Sequence, residues 1–152
     1  MTETSKTTPD GFSETERAAM RQRAAELQAQ KGLKGAAKRA RDYTACLEAI
    51  AALPEPDRHL AECYHVIVSE EAPQLNPKTW YGFPSYAIDD QVLTFFQPAS
   101  KFDTRYATIG FNDVATLDNG ALWPTVFAVT DVTPAVEQQL RALVRQATAH
   151  QG

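Results

Sequence analysis

The chain lacks the features that mark the common catalytic and transport functions. It has no run of about 18 apolar residues with which to cross a membrane. The opening Met1-Thr2-Glu3-Thr4-Ser5-Lys6 carries neither the basic n-region nor the apolar h-region of a secretory signal, so a cytoplasmic protein is expected. There is no Gly-x-Ser-x-Gly elbow, Walker A loop or Gly-x-Gly-x-x-Gly sequence. Nucleophilic, nucleotide and dinucleotide chemistries therefore lose their usual sequence support, and neither an enzyme nor a cofactor is expected. Only two cysteines occur, Cys46 and Cys63, in apolar helical contexts without Cys-x-x-Cys spacing. Reduced packing residues are the expectation. Histidine is nearly as scarce, with three residues. On a helix beginning at Asp57, His59 flanks the apolar stripe near Cys63, whereas His65 points about 120° away beside Arg58 and Glu62, so the two cannot share a metal. His59 and Cys63, at i and i+4, offer only part of the ligand set a zinc site needs, and His150 sits at the fraying terminus.

What is present describes a globular domain. Hydrophobic residues make up 43% and charged residues 22% of 152 residues, enough for one core without disulfide or metal. The net charge of −4 is uneven: residues 1–42 hold nine Lys/Arg against six Asp/Glu, and residues 43–152 hold six against thirteen. The basic run Lys31, Lys34, Lys38, Arg39 and Arg41 contains no acid and no aromatic residue. It reads as a solvated linker rather than a phosphate-binding arm, and nucleic acid is not an expected partner.

Periodicity gives the element order. Residues 1–11 are polar and read as disordered. Ser13-Glu14-Thr15-Glu16 is a capping box opening a helix to about Gln30, whose apolar face holds only Met20, Ala24 and Leu27. Asp42 is read as the cap of a second helix ending at Pro54, and Pro56-Asp57 opens a third that stops near Pro73. Short runs rich in aromatic and β-branched residues follow at Thr79–Phe83, Ser85–Ile88, Gln91–Phe96, Arg105–Phe111 and Thr125–Thr130. Asp89-Asp90 is too short for a crossover and implies a hairpin, and Asp118-Asn119-Gly120 marks a further turn. Thr133-Pro134 starts a last helix with a stripe of Val136, Leu140, Leu143, Val144 and Ala147, and with Glu137, Arg141 and Arg145 opposite. Helices, then strands, then a helix predict a single α+β domain, an antiparallel sheet of about five strands packed by helices, with an extra amino-terminal helix. Residues 1–42 are assigned to a disordered start, basic helical arm and linker, and residues 43–150 to the α+β domain.

The concentrated signal is aromatic. Eleven of fourteen Phe, Tyr and Trp residues lie between Trp80 and Phe127. Strand alternation sends some of these rings away from the helical layer. Trp80, Tyr81, Phe83 and Tyr86, with Lys101 and Arg105 close in sequence, are the candidate walls of a groove for a small anionic ligand or a partner segment. The competing reading is a second small core under the Gln97–Thr104 loop. Gly82 between bulky aromatics implies a bulge or close backbone approach, and Pro84 a strand break or edge. On the groove reading, Phe83→Ala removes ligand retention at little cost in stability. Glu70-Glu71 and Asp89-Asp90 point apart as sequence neighbours; with Asp103, Asp113 and Asp118 they form either a solubilising surface or an oxygen-rich face for a hard cation such as iron.

The segment Thr79-Trp80-Tyr81-Gly82-Phe83-Pro84-Ser85-Tyr86, followed by a hairpin into Val92-Leu93-Thr94-Phe95-Phe96 and then Lys101, resembles the YdhG/YdeI-like family of bacterial domains of unknown function. The similarity covers about residues 44–148. Phe83 stands where the family pattern has methionine, and Phe102-Asp103 follows the lysine where many members have histidine. The resemblance implies a small intracellular α+β domain and, because some members carry the name frataxin-like iron chaperone, Fe(II) delivery. The residues themselves favour a non-enzymatic binding domain, monomeric or homodimeric, with iron handling by surface carboxylates as the alternative.

Overall fold

Two-residue turns with positive φ set the register of the central sheet. In the computed structural model, which describes residues 12–32 and 34–149, Tyr81 (φ 54°) and Gly82 (φ 86°) join the first two strands, and Asp89 (φ 49°) and Asp90 (φ 64°) join the next pair. Positive φ at both central positions matches the right-handed twist of the flanking strands. Strands β1 (Asn76–Trp80), β2 (Phe83–Ile88), β3 (Gln91–Gln97), β4 (Ala107–Phe111) and β5 (Val126–Val129) follow in sequence order as one antiparallel sheet. With helices α1 (Glu14–Gln30), α2 (Gly35–Ala51), α3 (Asp57–Glu71), the short α4 (Ala99–Phe102) and α5 (Pro134–Ala147), the chain is an α+β domain. The stretch 1–11 and His150, both singled out above, lie outside the described residues.

The two faces of the sheet bury different things. Tyr64, Tyr86, Phe96, Ile109 and Phe111 join Cys46, Ile50, Leu60, Leu140 and Val144 in the main core, beneath α2, α3 and α5. The Tyr64 hydroxyl pairs with Thr94 Oγ1 at 2.7 Å, and the threonine hydroxyl also reaches Gly110 O at 2.8 Å, so the polar atoms placed there are satisfied. On the opposite face, the pairs Trp80↔Phe83, Ser85↔Phe95 and Phe95↔Gly110 align a second set of side chains. A methyl group on Gly110 would overlap the Phe95 ring, which shows why this strand position holds glycine. Helix α1 touches β1 and α4.

Several boundaries differ from the sequence reading. Helix α2 begins at Gly35, so Lys38, Arg39 and Arg41 lie on a helix and Asp42 is a buried residue inside it, not a cap. The basic segment is thus part of the folded body, and Lys38 Nζ pairs with Asp90 at 2.6 Å. Strand β1 starts at Asn76 and ends at Trp80, because the turn takes Tyr81 and Gly82 and leaves Phe83 to open β2. Pro84 lies inside β2, opposite Thr79, one residue before pairing with β3 begins at Ser85. The last helix is capped as expected, Thr133 Oγ1 accepting from Val136 N–H at 3.2 Å. The cations of this face are paired: Arg141 bonds Glu70, Glu71 and Glu137, and Arg145, itself exposed, bonds Glu71, tying α5 to the end of α3.

Candidate functional site

The aromatic face of the sheet forms a small separate cluster. Trp80 lies 5.8 Å from Phe83 and 5.4 Å from Phe95, and Phe83 lies 5.6 Å from both Phe95 and Phe102. Most of these rings meet edge-on or tilted, as their quadrupoles favour. Helix α1 roofs the cluster, and between roof and floor is a cavity of about 380 Å³ lined by Phe12, Trp80, Tyr81, Phe83, Phe95 and Phe102 together with Glu16, Ala19, Met20 and Gln97. The roof packs poorly. Ala19 is the one buried apolar residue among the described part of α1, while Met20 and Leu27 are 45% and 54% exposed.

What pins the roof is a carboxylate. Glu26 Oε1 accepts from Tyr81 N–H at 3.1 Å and Oε2 from Gly82 N–H at 2.7 Å, and Arg23 approaches Oε1 at 3.4 Å. Two successive positive-φ residues turn their amides to one side, the arrangement by which backbone binds an anion. The Glu26 side chain is 8% exposed, so these bonds work with little competition from water. Nothing in the sequence around Glu26 distinguishes it from the other acids; its partner is 55 residues away.

The structure divides the six residues named from the sequence. Trp80, Tyr81 and Phe83 come together at the cavity. Phe83, however, is only 4% exposed and belongs to the floor, so its expected low cost in stability does not hold. Tyr86 faces the other way, into the main core, edge-on to Tyr64 at 6.0 Å. Lys101 packs against Gly82 and borders a different cavity, of about 670 Å³, between α1 and α2. Arg105 lies 5.0 Å over the Tyr106 ring. Among the described residues, the convergent cation expected for an anionic ligand is therefore absent from the aromatic cavity. The second small core exists as well, placed under α1 rather than under the 97–104 loop alone.

No family model, curated protein or solved structure matches this chain.

Other reactive side chains are held in packing roles. Burial pushes the Cys46 thiol up to about 11, so the unreactive protonated form prevails. Cys63 Sγ lies 3.6 Å from His59 Nε2, the expected i, i+4 contact, and burial followed by the charge of Glu137 raises its value. Among the described residues no three His, Cys, Asp or Glu side chains gather at one point as metal ligands. Of the acids considered for iron, Asp90 pairs with Lys38, and Glu70 and Glu71 with Arg141.

His65 lies between Tyr43 and Tyr86, with Nδ1 3.0 Å from the Tyr86 hydroxyl. Burial holds its imidazole below the ordinary 6.5. The unfolded chain therefore binds that proton more tightly, so the stabilisation is complete above 6.5 and is lost as pH falls through the lowered value. Denaturation curves between about pH 5.5 and pH 7.5 are expected to show lower stability at the acid end. In His65→Gln that dependence should flatten; an unchanged slope would assign it elsewhere. Glu71, lowered by Arg141 and Arg145, loses its pairing only below its ordinary 4.5 and does not confuse this window.

Proposed function

We propose that this protein is a non-enzymatic binding domain of the cell interior, related through its Thr79–Tyr86 segment to the YdhG/YdeI-like family, and that it holds a small molecule against the aromatic face of its sheet. The observation that carries this reading is the cavity of about 380 Å³ between α1 and the aromatic floor. That volume is in the range of small-ligand sites, and a cluster this apolar left unfilled by its own roof favours a guest. Its described lining supplies no nucleophile with a base beside it, which favours binding over catalysis.

Titration of the full chain with indole, an uncharged aromatic probe, tests the reading. Saturable shifts of the Trp80 side-chain and Gln97 amide resonances are expected, with Trp123 unmoved. Absence of any shift at Trp80 would sink the proposal. Iron handling has no comparable geometric support among the described residues, and anaerobic calorimetry with Fe(II) is expected to give no saturable heat that depends on Asp89 and Asp90.

A further inference from the structure

The cavity beneath α1 has a charge preference as well as a shape. Six aromatic rings line it, and the one charged side chain among its described walls is Glu16. Both cations that sequence proximity suggested are placed elsewhere, Lys101 behind Gly82 and Arg105 over Tyr106. From this we infer that the ligand is an organic cation, an ammonium group bearing apolar substituents; the inference rests on the aromatic-cavity reading above and assigns its ligand class.

Three physical points carry it. Each aromatic face presents the negative part of its quadrupole, so an ammonium seated over it is attracted, most strongly over tryptophan. Trp80, Phe83 and Phe95 are spaced 5.4–5.8 Å apart with interplanar angles of 42–85°, so a cation near one ring is within reach of another. An alkylated ammonium also sheds its water at less cost than a carboxylate or a bare ammonium, which suits a cavity with few polar atoms. Glu16 adds the opposite charge. One of its oxygens accepts from Ser13 N–H at 2.9 Å, and the residue remains exposed, where it attracts a cation without the penalty of a buried, unpaired carboxylate. An anion would be repelled by Glu16 and by any ring face it approached, with no cation in the described lining to offset this.

The test uses the full chain and three ligands of similar shape: choline, its uncharged isostere in which a tert-butyl group replaces the trimethylammonium group, and tert-butylacetate. Choline is expected to move the Trp80 resonances and to bind about tenfold more tightly than the isostere, the scale of a partly desolvated cation–π contact. Tert-butylacetate should bind most weakly. In Glu16→Gln, choline affinity should fall several-fold and the isostere's should not change. Glutamine at this helix position still supports the capping box, so loss of the helix start does not confuse the result. Trp80→Leu, which keeps an apolar wall without a π face, should weaken choline more than the isostere. Equal affinity for choline and its isostere, or tighter binding of the carboxylate, would overturn the cation assignment and leave the cavity reading standing. Binding of indole but of none of these three ligands would overturn it in the same way. If indole also fails to move Trp80, both readings fall together.

Discussion

Phe83→Ala is expected to destabilise the protein by about 3 to 5 kcal/mol, the usual cost of emptying a buried phenylalanine site. Phe83 is 4% exposed and touches Trp80, Phe95 and Phe102 at ring spacings of 5.6–5.8 Å. Those neighbours are fixed by strand register and by α4, and Phe95 is already pressed onto Gly110, so they cannot collapse into the space. The new void would adjoin the existing cavity and enlarge it. Chemical denaturation of the mutant beside the wild type measures this, with an unchanged slope showing that only stability moved. A loss below about 1 kcal/mol would mean that the aromatic face tolerates repacking and that Phe83 is not the keystone of its floor.

Glu26→Ala is expected to release α1 from the sheet. The described apolar residues of this helix and its lead-in bury little, Ala19 alone being buried while Phe12 is 40% and Met20 45% exposed. Hydrogen bonds to a charged group contribute roughly 1.5 to 3 kcal/mol each, so losing the two amide bonds should lower the free energy of local opening by about 2 to 4 kcal/mol after rehydration of the amides. Hydrogen exchange reads this directly. The amides of Tyr81, Gly82 and the α1 backbone should lose protection together, while those of β3 and β4 keep theirs. Glu26→Gln should be intermediate, since an amide side chain presents one acceptor to two donors. Unchanged protection of Tyr81 and Gly82 in the alanine variant would show that packing, rather than the carboxylate, holds the roof. Because α1 forms one wall of the proposed ligand cavity, the same variant should also speed ligand exchange.

Much of the local structure was readable because its causes are local. The Ser13–Glu16 capping box, the Thr133 cap with Pro134 and the Asp89-Asp90 hairpin each depend on residues within a few positions of one another, and each forms. Asp42 misled because an acid before an apolar stripe resembles a cap, whereas the helix extends back to Gly35 and the residue is buried inside it. The β1–β2 boundary was displaced because β-propensity favours aromatic Tyr81 within a strand, and the turn at Tyr81-Gly82 overrides that preference.

The sequence by itself determined the α+β class, the capped starts of the first and last helices and the concentration of rings between Trp80 and Phe127, since composition and short-range periodicity decide these. Only the tertiary structure decided which rings share a face, why Tyr86 is in the main core while Trp80 and Phe83 are under α1, and where the charges converge. Lys101 and Phe102 are adjacent in sequence yet line different cavities. Glu26 and Gly82, 56 residues apart, share a hydrogen bond. Charge and hydrogen-bond complementarity act over a few ångströms of space, and the distance between two side chains along the chain says nothing of that separation until the sheet register and the path of α1 are set.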